Sequence, residues 1–268
     1  MKLGGSTFSF MWQGTALEAI RRMAAIGLND FDVLLVPGHL WIDMDAAARR
    51  RLRRTLTDEG VRLNSLNLPA LDLNLCSTVP DMHDYTVATY SEAIRLAADL
   101  DAEAVVVVPG RISALLPPPR DVTMRPLTDG ALALARLAAE IGRKLFFELH
   151  PQTPVPTAEL IGEWVRGLDN SHVMIAYDVA NAVFIGEDPV AAIKRWAPLI
   201  GQFHLSDASR SVWRHDAFGA GTVPFADIAA AIAAADFNGI AILEIISANP
   251  LPDMQAAVDA LAHMEATG

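Results

Sequence analysis

The 268-residue chain has a single cysteine, Cys76, and only three lysines, Lys2, Lys144 and Lys194. One thiol cannot form an intrachain disulfide, and no cysteine pair has zinc-finger spacing. None of the lysines stands at the C-terminal end of an expected strand, which disfavours a Schiff-base aldolase. A G-x-S-x-G elbow is also missing, which disfavours a serine hydrolase. Basic charge is scarce: 21 Lys and Arg face 32 Asp and Glu, a formal net charge of −11. Such a surface repels phosphate backbones, and the arginines are scattered or grouped on helices (Arg21, Arg22; Arg49 to Arg54) without interleaved aromatics. No nucleic-acid partner is expected. Apolar runs such as Ala104 to Pro109 fall far short of the ~20 helical residues that span a bilayer. The first residues, MKLGGSTFSFMWQG, lack the apolar core of a signal peptide. The expectation is a soluble, cytoplasmic protein with no membrane partner.

What the chain does have is 52% hydrophobic residues, enough for a packed core. Short apolar runs alternate with stretches of i, i+3, i+4 apolar spacing from end to end. The runs predict strands over Leu3–Phe10, Asp30–Leu35, Arg62–Leu68, Ala104–Val108, Leu145–Leu149, Val173–Tyr177, Gly201–Leu205 and Ile240–Ile245. Helices are expected over Ala16–Ile26, Ala46–Glu59, Tyr85–Leu100, Arg125–Ile141, Thr157–Gly167, Pro189–Trp196, Phe225–Ala235 and Asp253–Met264, with Asp81 preceding the third. Leu115–Arg120 (LLPPPR) reads as a stiff loop. Eight βα units in 268 residues, with no visible linker, give an α/β fold. They predict a single-domain (β/α)8 TIM barrel over residues 1–268. A doubly wound sheet would more often carry a Gly-rich turn after its first strand, and Gly4-Gly5 lies at the wrong end of it.

In such a barrel the chemistry gathers at the C-terminal strand ends. Strand five ends FFELHP (Glu148, His150), strand six IAYDVAN (Asp178, Asn181) and strand seven GQFHLSD (His204, Asp207), while strand eight, AILEII, encloses Glu244. A lone carboxylate at a strand end is more often a helix cap or an ion-pair partner. Such groups on successive strands, in otherwise apolar runs, each cost several kcal/mol to desolvate unless paired or on a metal. Glu148, Asp178, His204 and Glu244 are therefore a candidate site for one divalent cation. Three carboxylates and one imidazole suit Mn²⁺ or Mg²⁺, with Co²⁺ or Zn²⁺ as alternatives. Trp12, Trp41 and Trp213 fall in loops on the same face, where an aromatic wall against the apolar face of a ligand competes with simple loop anchoring. His150 is a substrate contact or a packing residue, and Asn181 and Asp207 are further candidate substrate contacts. His215 and the Gly219–Gly221 turn are candidates to shape a pocket for hydroxyl or phosphate groups. His39, His83, His172 and His263 are assigned no role.

Glu148-Leu-His150, Asp178-x-x-Asn181, His204-x-x-Asp207-x-x-Arg210, Gly219-Ala-Gly221 before Val223-Pro-Phe225, and then Glu244 resemble the xylose isomerase-like TIM barrels of the sugar phosphate isomerase/epimerase superfamily. The resemblance covers essentially the whole chain. It implies that Glu148, Asp178, His204 and Glu244 ligate one metal, commonly Mn²⁺. It also implies that Glu148 and Glu244 exchange the proton of the substrate carbon between them, and that Arg210 contacts substrate, against the competing reading of a solvated surface arginine. Enolisation next to a carbonyl, with the cation as Lewis acid, can then end as epimerisation, isomerisation or dehydration. Isomerase or epimerase action on a small sugar or keto-polyol is the leading expectation. A dehydratase resembling those of inosose or dehydroshikimate is the alternative, and a non-catalytic sugar-binding barrel is a third reading. Many members carry His where this chain has Asn181, which can donate a hydrogen bond but cannot shuttle a proton near neutral pH. The resemblance further implies a homodimer or tetramer.

Overall fold

The computed structural model describes residues 1–69 and 72–267. Seven strands come first: β1 (Lys2–Ser6), β2 (Asp30–Leu34), β3 (Arg62–Asn67), β4 (Ala104–Val107), β5 (Lys144–Glu148), β6 (Val173–Asp178) and β7 (Ile200–Leu205). A hairpin, β8 (Asp207–Ser209) and β9 (Val212–Asp216), precedes the last barrel strand, β10 (Ile240–Leu243). The helices are α1 (Ala16–Ala24), α2 (Ala46–Asp58), α3 (Pro80–Leu100), α4 (Arg120–Glu140), α5 (Ala158–Gly167), α6 (Val179–Ile185), α7 (Pro189–Trp196), α8 (Phe225–Ala234) and α9 (Pro250–Thr267). The barrel is closed and parallel in the order β1-β10-β7-β6-β5-β4-β3-β2. The expected (β/α)8 architecture is therefore the one formed, and β5, β6, β7 and β10 are consecutive neighbours in it.

Period-2 alternation sorts each strand into two layers. On β5, Leu145, Phe147 and the following Leu149 pack in the large apolar layer between sheet and helices, while Phe146 joins Ala104, Val106 and Ala176 inside the barrel. Glu148 lies two residues beyond Phe146 and so faces the lumen, as Asp178 does beyond Ala176. On β10, Ala241, Leu243 and Ile245 belong to the outer layer, which leaves Glu244 inward. The upper lumen is thus lined by buried polar groups, with Asp32, Ser65, Asn67 and Gln202 beside the four residues above.

Local chemistry sets the helix starts. Thr15 and Glu18 form a reciprocal capping box at α1, and Asp45, Thr157 and Asp188 cap α2, α5 and α7. Three boundaries differ most from expectation. Strand β1 stops at Ser6 because Phe8–Phe10 tighten into a 3₁₀ turn. Helix α3 begins at Pro80, a residue pre-set for a first helical position, so Asp81 sits inside its first turn. Helix α4 begins at Arg120 and runs through Pro126, whose carbonyl accepts from His83 Nε2 at 2.9 Å. The short helix α6 and the β8–β9 hairpin were not expected, and both contribute to the site. Among the described residues no helix is long and apolar enough to cross a membrane.

Candidate metal centre and active-site cavity

Glu148, Asp178, His204 and Glu244 converge at the lumen ends of β5, β6, β7 and β10. One ligand atom from each lies within 4.8 Å of the others, and all four side chains are buried. His204 Nδ1 is 3.1 Å from Glu148 Oε1, 3.2 Å from Glu244 Oε2 and 3.9 Å from Asp178 Oδ2. Asp178 divides its labour. Its Oδ1 accepts the Asn181 N–H at 2.7 Å and caps α6, while the buried Oδ2 has no hydrogen-bond partner. A buried, orphaned carboxylate oxygen turned toward two other carboxylates and an imidazole is a donor set that fits a divalent cation.

The electrostatics agree. Burial pushes Asp178 well above the usual carboxylate range; His215 and His204 oppose the rise, and Glu244 and Glu148 add to it. Burial would also raise Glu244, but the charge and hydrogen bond of His204 outweigh it and hold Glu244 low. His204 stands well above the ordinary imidazole value, because Glu244 and Glu148 overcome the effect of burial. Without a metal, the imidazolium is the cation that holds the cluster together.

A second layer was missed in the sequence. Gln202, fully buried, places its amide 2.7 Å from His204 Nε2, and its Oε1 accepts from Ser65 Oγ at 2.9 Å and from Asn64 Nδ2. Ser65 Oγ also approaches Asp32 Oδ1 at 2.5 Å, and Asn67 Nδ2 donates to Asp32 Oδ2 at 3.1 Å. Burial raises Asp32 to about 6. A metal on Nδ1 requires the imidazole proton on Nε2, and the amide oxygen of Gln202 can accept it after a half-turn of the amide. Gln202→Met should weaken Mn²⁺ binding roughly 10- to 100-fold, measured by calorimetry. An unchanged dissociation constant would remove Gln202 from the site.

Above the cluster a cavity of about 320 Å³ is lined by Glu148, Glu244, His150, Asn181, Trp213 and His215, with Phe8, Asn67, Pro69, Val108, Arg111, Gln152 and Ile246 completing the wall. That size suits one small ligand. The unexpected hairpin delivers Trp213 and His215. Trp213 meets His150 edge-on at 4.9 Å and donates from Nε1 to Asn181 Oδ1 at 2.7 Å. His215 Nδ1 lies 3.4 Å from Glu244 Oε2 and 3.5 Å from Asp178 Oδ2. Burial holds His150 below the ordinary imidazole value. The Gln152 N–H approaches His150 Nδ1 at 3.3 Å, which leaves Nε2–H as a neutral donor.

Other expected contacts are placed elsewhere. Asn181 borders the cavity, but its amide also donates to Leu149 O at 2.9 Å, so both ends of the side chain are engaged, one with Trp213 and one with the residue that follows β5. Asp207 points away from the cavity wall. Its carboxylate accepts four backbone N–H groups, from Ala208, Gly219, Gly221 and Val223, at 2.8 to 3.0 Å. The Gly219–Gly221 turn therefore wraps an internal carboxylate in place of a substrate anion; Gly219 has φ +90°, and a Cβ on Gly221 would strike the Ala208 carbonyl. Arg210 is exposed at the hairpin tip, its guanidinium laid over Gly186. Trp12 is 72% exposed outside the cavity wall, because the early end of β1 leaves Phe8 at the mouth in its place. Trp41 packs against the apolar layer.

A larger depression, about 1030 Å³, opens at the N-terminal ends of the strands. Its charged walls are largely paired with one another, as in Arg62–Asp30 at 2.7 Å and Lys144–Glu103 at 2.8 Å, and they converge on no common point. In barrels of this type that end serves stability.

Comparison with known proteins agrees with this geometry. Residues 20–267 match the model of the xylose isomerase-like TIM barrel family. Inosose dehydratase of Geobacillus kaustophilus is 31% identical over 140 residues, 44% of this chain and 44% of that protein. Inosose dehydratase of Clostridium beijerinckii is 34% identical over 86 residues, 32% of this chain and 29% of the other. The matched stretches thus span less than half the length of these relatives. Among solved structures, a D-tagatose 3-epimerase-like protein superposes with a TM-score of 0.86 at 19% identity over 98% of each chain. A probable 3-DHS dehydratase from Bacillus anthracis superposes with a TM-score of 0.74 at 16% identity over 98% of this chain and 99% of that one. At such identities these two establish the shared fold alone. With its closed eight-stranded barrel, its buried cluster at the C-terminal strand ends and a match across nearly its whole length, the chain belongs to the xylose isomerase-like TIM barrel family.

Proposed function

We propose that the protein is a divalent-metal-dependent enzyme that moves a proton on the carbon beside a carbonyl in a small, polyhydroxylated ketone. The observation that carries the proposal is the cluster itself: two glutamates reach one point from β5 and β10, beneath a cavity sized for one sugar-like molecule. Glu148, Asp178, His204 and Glu244 would hold the cation, with Mn²⁺ the best match to three carboxylates and one imidazole and Mg²⁺ a close second. When bound, it supplies Lewis-acid stabilisation of negative charge on a carbonyl oxygen. Glu148 and Glu244 take and return the carbon-bound proton. The neutral His150 donates from Nε2 to a substrate oxygen, and Trp213 offers its face to the apolar side of the ring. Proton return to the same carbon gives epimerisation, and to the neighbouring carbon isomerisation; this is the leading reading.

Dehydration is favoured by one observation. His215 stands beside Glu244 and Asp178 on the cavity wall, where an imidazole can protonate a departing hydroxyl. The partial likeness to inosose dehydratases points the same way. Proton NMR in D₂O with Mg²⁺-loaded protein tests the shared step on a panel of ketoses, inososes and keto acids. Deuterium should enter a position α to a carbonyl and stop doing so when chelator is added, and the product then identifies the branch. A protein that binds metal yet exchanges no proton in any of them would favour the non-catalytic, ligand-binding reading.

A further inference from the structure

Arg111 is the one permanently charged cation among the described residues of the cavity wall. Its backbone is fixed from several sides. Asn74 Oδ1 accepts the Arg111 N–H at 2.8 Å, and Asn74 Nδ2 donates to the Arg111 carbonyl at 2.9 Å. The next residue, Ile112, donates its N–H to Gln152 O at 2.9 Å. The preceding Gly110 has φ +107°, and a Cβ there would collide with Asn74 and Cys76, so the approach is built for glycine. The backbone is held, and the side chain is exposed at the cavity mouth. Among the described residues the guanidinium has no ion pair or hydrogen-bond acceptor, a state it shares with other exposed arginines such as Arg50, Arg51 and Arg120, but Arg111 alone of these stands on the cavity wall.

Arg111 brings a fixed positive charge to the wall of a cavity with an acidic floor, in a chain of net charge −11. Charge balance gives it a purpose. Three carboxylates and one divalent cation leave the floor of the cavity with a net negative charge, which repels any anionic ligand unless a cation receives its charged end. Arg111 is that cation, and its wall neighbour Gln152 adds hydrogen-bonding groups without adding charge.

We propose that Arg111 determines specificity by receiving a carboxylate of the substrate, so that the enzyme acts on polyhydroxylated keto acids in preference to neutral ketoses. The planar fork of one arginine matches a carboxylate in two parallel bonds. A phosphate dianion would more commonly be met by further permanent cations, and the described residues of the wall include no other. The assignment rests on the enolisation reading above and deepens it.

Two measurements keep the two ideas separable. The first is calorimetric binding of quinate, a polyhydroxylated carboxylate, against myo-inositol and fructose 6-phosphate, using Mn²⁺-loaded wild type, Arg111→Gln and Arg111→Lys. Wild type should bind quinate more tightly than myo-inositol or the phosphate. Arg111→Gln should lose roughly 10- to 100-fold in quinate affinity, with Arg111→Lys in between and the Mn²⁺ affinity of both variants unchanged. Quinate binding that is absent, equal to that of myo-inositol, unaffected in Arg111→Gln, or weaker than that of the phosphate overturns the proposal whatever the turnover. The second is deuterium exchange with matched neutral and carboxylated ketones. Faster exchange in the acids, lost through KM in Arg111→Gln, supports it; exchange confined to neutral ketones overturns it but leaves the enolisation reading intact.

Discussion

Glu244→Gln should lower turnover by roughly 10³-fold or more while weakening metal binding only about tenfold, and Asp178→Asn should do the reverse. The two residues are neighbours in the cluster but differ in what their oxygens are free to do. Glu244 is buried just beyond the apolar strand β10, 3.2 Å from His204 Nδ1, and the surrounding positive charge keeps it ionised. Glutamine preserves an amide oxygen for the cation and the shape of the side chain, but it has no site to take a proton from carbon. Asp178 is committed at Oδ1 to the cap of α6, and only Oδ2 faces the cluster. Asparagine can keep the cap and present an NH₂ to the metal, so affinity falls steeply while turnover recovers as metal is raised. Calorimetry for the metal and turnover at saturating metal separate the two effects. Full activity in Glu244→Gln would remove its acid/base role, and unchanged Mn²⁺ affinity in Asp178→Asn would remove Asp178 from the ligand set.

The residues of the cluster were legible because each stands where an apolar strand offers no other account of it. In LFFEL the alternation that sends Leu145 and Phe147 to the helices leaves Glu148 with Phe146 in the lumen, and AILEII treats Glu244 the same way. The residues that support and border the cluster gave no such signal. Gln202, Ser65 and Asp32 are ordinary polar residues at alternate strand positions, and only closure of the barrel brings β2, β3 and β7 to a common interior. Arg111 follows β4 in an irregular loop whose shape depends on Asn74, 37 residues earlier in the chain. The hairpin was hidden because β8 spans three residues and its pairing with β9 is irregular. Asp207 was misread for a related reason: its spacing from His204 places it near the mouth, but four backbone N–H groups at its carboxylate turn it inward. Sequence pattern reports a strand's period well; it reports poorly on side chains whose partners arrive from distant loops.

The stabilisation conferred by metal should grow with pH, and this is the most direct test of the cluster that needs no substrate. In the metal-free protein His204 holds its proton well above the ordinary imidazole value and Asp178 is pushed up by burial. A cation bound by both must displace those protons. For a group whose folded value is raised, the stability it gives the metal-free state is present below its unfolded value and lost as pH rises through the folded one, so the metal-free state weakens as pH rises. Metal binding, freed from proton competition, strengthens over the same range. His39 and His150, which burial pushes down, act in the opposite sense, but they do so with or without metal and largely cancel in the difference. One displaced proton gives about a tenfold gain in affinity per pH unit, so from pH 6 to pH 8 the protection by excess Mn²⁺ should increase by ~2–3 kcal/mol, several degrees in Tm. Melting curves with Mn²⁺ and with chelator across that range read the difference directly. A gap that stays constant, or narrows as pH rises, would show that no imidazolium is displaced and that His204 is not a ligand.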